Sequence, residues 1–147
     1  MGIATILLAN DGSPAGAQAL PHAVELARAT GARLIGLYIA DERLLFHAGI
    51  HRGEAEHELS DEAREVLAAM AAAAATAEVA FEGRSVTGRP TAAILKAIDE
   101  TGAELVVIGS HGGGAVAQLL TGNVAEEVIR QVDVPVLVVP WRSRPNR

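Results

Sequence analysis

The chain has 147 residues, half of them hydrophobic, with a net charge of −6 and no cysteine. That length suits one domain with its own core, and so apolar a composition excludes disorder. The acidic balance argues against nucleic-acid binding, which needs a basic footprint, and the missing cysteines exclude disulfides, thiolate metal sites and a cysteine nucleophile.

Aromatic residues are only 3% of the chain, so the core is expected to be built from Val, Ile, Leu and Ala. No basic region precedes an apolar run at the start, so a signal peptide is not expected. Met1-Gly2 lacks the Ser or Thr that myristoylation wants where Ile6 stands. No apolar stretch reaches the length of a membrane span. A cytoplasmic protein with no membrane partner is the expectation.

The first predicted strand is the apolar run Ile3 to Ala9, which suits a strand covered on both faces. Asn10-Asp11-Gly12-Ser13-Pro14 ends it, and Ser13-Pro14 opens a helix, a capping hydroxyl followed by proline at the first helical position. Leu20, Ala23, Val24 and Ala27 recur at helical spacing, Pro21 is expected to kink or loosen this helix, and Gly31 to stop it. Arg33 to Ala40 reads as the second strand. Asp41 to about Leu59 has weak periodicity and reads as a loop with a short helical piece. Ser60, Asp61 and Glu62 read as the start of a long helix with Leu59, Ala63, Val66, Leu67, Met70 and Ala74 as its apolar stripe.

Val79 to Thr87 is a third strand, polar enough for a sheet edge. Gly88-Arg89-Pro90 leads into a third helix with Ile94, Ala97 and Ile98 inward and Gly102 as its stop. Glu104 to Ile108 is the fourth strand, and the fourth helix carries Val128, Ile129 and Val132 inward. Val134 to Pro140 is the fifth strand, and Arg142 to Arg147 a short basic tail. Strands alternate with helices throughout. The fold class is therefore α/β, an open doubly wound parallel sheet with helices on both faces. Thr30-Gly31-Ala32 and Thr101-Gly102-Ala103 echo one another as two similar helix-to-strand turns.

Ligands of such sheets bind beyond the carboxyl ends of the strands, where the strand order reverses. Two strand ends carry unusual residues: Asn10 to Ser13, and Gly109-Ser110-His111-Gly112-Gly113-Gly114 onward. Glycines let the backbone bend tightly and approach a ligand closely. The first amides of the next helix lack internal partners and sit at the positive end of its dipole, an arrangement suited to phosphate. An ordinary strand-to-helix connection explains the same residues. Asp11 likewise has two readings: a brace for its turn, or a carboxylate for magnesium or a ligand hydroxyl. Asn123 suits an N-cap, with Glu126 completing the capping pair. His47, His51 and His57 stand among Glu54, Glu56 and Glu58. A solvated loop is preferred there to a metal site.

Gly109-x-x-Gly112, nine residues, then Gly122 closely resembles the nucleotide loop of the universal stress proteins. The opening Ile6-Leu7-Leu8-Ala9-Asn10-Asp11-Gly12-Ser13 and the closing Val134-Pro135-Val136-Leu137-Val138-Val139 look like the family's first and last strands, so the resemblance covers nearly the whole chain. It implies one nucleotide-binding domain over residues 1–141, with strand order 3-2-1-4-5 and a short basic tail over 142–147. It implies an adenine nucleotide, ATP or AMP, with magnesium at Asp11. Asp11, Asn10 and the backbone near Ala9 would lie by the ribose and adenine, and Ile39 against the adenine ring. Ile108 and Gly109 would lie near the nucleoside, while His111 and Gly112 begin the phosphate loop and Gly122, Asn123 and Val124 close it. It also implies a homodimer through the fifth strand, Val134 to Val139.

The chain departs from the family pattern in three ways. Asn123 replaces a Ser or Thr after the last glycine, Ala125 replaces a frequent hydroxyl residue, and Gly113 to Thr121 carries no Lys or Arg. Losing a hydroxyl and a cation should weaken binding by about 1–3 kcal/mol. No P-loop lysine, arranged nucleophile and base, or arginine finger is present. The expectation is a binding-dependent regulator with no catalytic residues and at most slow ATP hydrolysis or autophosphorylation, Ser110 and Thr121 being candidate acceptors. The alternative is a nucleotide-free dimeric interaction module. An ATP pyrophosphatase or thiolation enzyme would need a Ser-Gly-Gly loop after the first strand, which Asn10 to Ser13 is not.

Overall fold

Among the described residues, five stretches, four of them apolar, become strands and four intervening stretches become helices. A computed structural model describes residues 2–43, 52–110 and 124–140, with the side chains of Arg52, Ala55, Glu56, Glu58 and Leu59 left out of the description. In chain order the elements are β1 (Thr5–Asn10), α1 (Pro14–Thr30), β2 (Arg33–Asp41), α2 (Arg52–Thr76), β3 (Phe81–Gly88), α3 (Pro90–Thr101), β4 (Leu105–Gly109), α4 (Val124–Gln131) and β5 (Val136–Val139). All four strand pairings are parallel, in the order β3-β2-β1-β4-β5. The expected doubly wound sheet and its order are both observed.

β1 is the middle strand and every one of its residues is buried, which is why its sequence runs apolar without alternation. Ile6 and Leu8 turn to one face, packing with Ala19, Ala23 and Ala27 of α1 and Met70 and Ala74 of α2. Leu7 and Ala9 turn to the other, packing with Ile94 and Ala97 of α3 and Val128 of α4. β3 and β5 are the two edges. The predicted polar edge strand and the apolar fifth edge strand fall in those places.

The helix punctuation reads as expected at α1. Ser13 Oγ accepts the Gly16 N–H at 3.3 Å, and the Gly31 N–H donates to the Ala27 carbonyl from a left-handed conformation. The two echoing turns are alike in detail. Thr30 Oγ1 donates to the Leu26 carbonyl and Thr101 Oγ1 to the Ala97 carbonyl, each at 2.7 Å. Gly102 then donates to Ile98 as Gly31 does to Ala27.

Two expectations are corrected. α2 begins at Arg52, so Arg52 to Leu59 is helical where a loop was expected, and Ser60 to Glu62 lie inside the helix. Glu, Ala and Leu favour helix intrinsically, and Gly53, Glu54, His57 and Ser60 are exposed. A helix turn that meets solvent shows no apolar stripe to read. α1 runs on through Pro21; the proline and Ala17, whose carbonyl loses a donor to it, are both exposed. Ile129 is 53% exposed and Val128 fully buried, so α4 turns Val128 inward and leaves Ile129 outward. Strand limits differ from the predicted ones by one or two residues at most ends.

Candidate functional site

A crevice opens beyond the carboxyl ends of β1 and β4, the neighbouring strands at which the chain order reverses. Its empty space, counting the mouth open to solvent, is about 430 Å³. β1 supplies Ala9 and Asn10, with Asp11 just beyond, β2 supplies Ile39, and β4 supplies Ile108 and Gly109. Val124 closes one side at the start of α4. These seven residues, scattered along the sequence, are brought to one place. His111, Gly112, Gly122 and Asn123 lie outside the described residues, as do Thr121, His47 and His51.

Sequence reading missed the rest of the wall. Ser13, Ala15 and Gly16 of the α1 start, Pro90 and Ile94 of α3, and Ser110 also line the crevice. The parallel register explains the first group: α1 leaves β1 directly, so its first turn must overhang the strand end. The Ser13-Pro14 cap was the available signal. Pro90 and Ile94 arrive because α3 covers β1 and β2 on the face that Ala9 and Ile39 share.

The crevice has two chemical halves. Ile39, Ile94, Ile108, Pro90 and Val124 give an apolar slot, and Asn10, Asp11, Ser13 and Ser110 a polar end. The Gly12 N–H donates to Asn10 Oδ1 at 2.8 Å, and the Ser13 N–H to Asp11 Oδ1 at 2.9 Å. Two successive side-chain turns thus fix the end of β1, and the bracing role of Asp11 is observed. Gly109 is required for a steric reason. A Cβ there would stand 2.5 Å from the Ala15 carbonyl oxygen, so β4 and α1 approach as closely as they do only without a side chain. Ser110 is held by its backbone, its N–H donating to the Val139 carbonyl at 2.9 Å. Thr91 Oγ1 donates to Glu127 Oε2 at 2.6 Å, tying α3 to α4 across the apolar half.

Behind the polar end lies a group that nothing in the sequence pattern indicated. Tyr38, 1% exposed, donates its hydroxyl to the Glu62 carboxylate. Burial first, and then the negative charges of Glu62 and Asp11, hold the phenol far above its ordinary value. Burial also raises Glu62, against the Tyr38 hydrogen bond, with Asp11 adding to the rise. The Glu62 carboxylate touches Gly12, where a Cβ would overlap Oε1. α2 therefore rests an acid on the turn that carries Asp11. Among the described residues, no three His, Cys, Asp or Glu side chains converge as a metal site; His57 meets only Asp61, at 3.5 Å. No helix among the described residues is long and apolar enough to cross a membrane.

Comparison with known proteins agrees with this architecture. The family model described as the universal stress protein family matches residues 2–140. The Thermus aquaticus universal stress protein of the QAH/OAS sulfhydrylase 3′ region is 35% identical over 136 residues, covering 92% of this chain and 97% of that one. A Burkholderia pseudomallei protein of the universal stress family has a crystal structure with TM-score 0.79 and 30% identity, covering 95% of this chain and 97% of that one. A universal stress protein crystallised in complex with cAMP has TM-score 0.71 and 26% identity, covering 95% of this chain and 98% of that one. A matching profile over nearly the whole sequence, a relative of this identity and the shared sheet order lead to one conclusion: the chain belongs to the universal stress protein family.

Proposed function

We propose that the chain binds an adenine nucleotide, as Mg-ATP, in the crevice between β1 and β4, and acts as a nucleotide-dependent regulator in the stress response. The observation that carries this reading is the pairing, in one crevice, of an apolar slot with the braced acid Asp11 at the strand-order reversal. Ile39 and Ile108 flank the adenine, while Asp11 and the Ala9 backbone meet the ribose. His111, Gly112, Gly122, Asn123 and Val124 enclose the phosphates. Magnesium characteristically uses one or two carboxylates together with phosphate oxygens, and Asp11 is the carboxylate available to it. The related structure holding cAMP supports the ligand class. A cytoplasmic site of action goes with this reading.

Native mass spectrometry and calorimetry test it. The purified protein is expected to retain or take up ATP with magnesium. Asp11→Asn keeps an acceptor for the Ser13 N–H but removes the charge. Its affinity for Mg-ATP should fall about tenfold, or about 1.4 kcal/mol. A parent protein that stays empty in added Mg-ATP would sink the proposal and favour a nucleotide-free interaction module.

Dimer formation through β5 belongs to the same reading. β5 is an edge strand, and Leu137 on it is 37% exposed, a combination that invites pairing with a second strand. Leu137→Lys places a charge on that edge and should shift the protein towards monomer in analytical ultracentrifugation. An unchanged dimer would place the interface elsewhere.

A further inference from the structure

The carboxamide of Asn10 is 94% out of solvent, since the residue is only 6% exposed. Its orientation is set by the Gly12 N–H, which must meet an oxygen and finds Oδ1 at 2.8 Å. Nδ2 is then left with two N–H donors and no acceptor among the described residues. Buried donors are almost always satisfied, and an unsatisfied one costs about 1–3 kcal/mol. Asn10 lines the crevice, and its carboxamide lies over the first turn of α1. A Cβ on Gly16 would stand 2.2 Å from Asn10 Oδ1 and 2.8 Å from Cγ.

That first turn has a matching vacancy in its hydrogen bonding. Pro14 has no N–H, Gly16 donates to Ser13 Oγ, and Ala17 donates to the Ser13 carbonyl at 3.1 Å. Ala15 is left as the first-turn amide without an acceptor among the described residues, and it too lines the crevice. The helix behind it is 17 residues long and has no acidic side chain in its first turn; the acid nearest its start, Asp11, is engaged by the Ser13 N–H.

We infer that Asn10 Nδ2 and the Ala15 N–H form an oxyanion subsite at the start of α1, which takes a phosphoryl oxygen of the bound nucleotide. This rests on the nucleotide reading above and adds a second grip, from the β1 side, to the glycine loop on the β4 side. A ribose hydroxyl would satisfy the donors but gain little from the helix field. An anionic oxygen gains from both.

Nitrogen-15 NMR of the full chain tests the subsite with three probes: ATP with magnesium, adenosine, and inorganic tripolyphosphate. The Ala15 amide and Asn10 side-chain signals are expected to shift with ATP and tripolyphosphate and to stay put with adenosine. Asn10→Asp retains the acceptor for Gly12 but loses both donors. It should lose about tenfold or more in ATP affinity. ATP that binds without moving these signals, adenosine that moves them equally, or an Asn10→Asp protein that binds ATP like the parent would each overturn the subsite and leave the nucleotide reading standing. Tripolyphosphate that moves them in a protein indifferent to ATP would do the reverse. The signals of the parent decide the matter even if the variant folds poorly.

Discussion

Gly109→Val should lower stability by about 3 kcal/mol, the upper end of what overpacking costs, and remove nucleotide binding together with it. At this chain length that is a fall in melting temperature of roughly 10 °C. The added Cβ would stand 2.5 Å from the Ala15 carbonyl oxygen and 2.7 Å from its carbon. Both atoms belong to the backbone of the first turn of α1, so no rotamer change relieves the contact. α1 must lift from β4, and the crevice wall made by Ala15 and Gly16 moves with it. Gly36 provides the contrast. A Cβ there would meet Phe81 Cε1 at 2.7 Å and Met70 Sδ at 2.9 Å, and side chains can give way where a carbonyl cannot. Gly36→Ala should therefore cost less than Gly109→Val and leave nucleotide binding intact, because its neighbours lie in the core beneath α2. Thermal melts and ATP titrations of the two variants check the ordering. A Gly109→Val protein that melts with the parent would mean that α1 is not tightly seated on β4.

The physical reasons for that arrangement were partly visible in the sequence. Continuous apolar runs announced buried parallel strands, and Ser13-Pro14 and Gly31 marked the ends of α1 because capping needs those residue types locally. The ends of β1 and β4 could be singled out because Asp11, just past β1, and Gly109, the last residue of β4, are poor strand formers. Ile39 and Val124 entered only through resemblance, since an aliphatic residue at a strand end looks like any other core residue. Ala15, Gly16, Pro90 and Ile94 were not legible. They become wall residues through the placement of α1 and α3, which no local pattern encodes. The Tyr38–Glu62 contact was hidden for a further reason. Ser60-Asp61-Glu62 has the composition of a helix start, and that reading explained Glu62 without requiring it to touch anything. With α2 beginning at Arg52, Glu62 is a mid-helix acid turned toward the sheet.

That buried contact leads to a titration with an unusual expected result. Tyr38 is the only tyrosine in the chain, so the phenolate absorbance band reports it alone. A free phenol ionises near pH 10. Here burial, the charge and hydrogen bond of Glu62, and the charge of Asp11 all act to raise the value. The band should therefore stay silent through about pH 10 and appear only as the protein unfolds. The linkage has a definite sign. A phenol whose folded pKa lies above its unfolded one contributes stability that is fully present below about pH 10 and is lost as the pH climbs toward the folded value. Denaturant midpoints should fall in that alkaline range, and Tyr38→Phe should remove this part of the slope. At neutral pH the same variant should lose about 1.5–3 kcal/mol, the scale of a hydrogen bond to a charged group. Glu62→Gln separates the causes. Gln still accepts from the hydroxyl, but the charge is gone, so the phenol should ionise at a lower pH than in the parent. It should still ionise above a free tyrosine, because burial is the largest contribution. A parent protein whose phenol titrates near pH 10 while folded would show that α2 does not press Glu62 onto the turn carrying Asp11, and would remove the support that α2 gives to the polar end of the crevice.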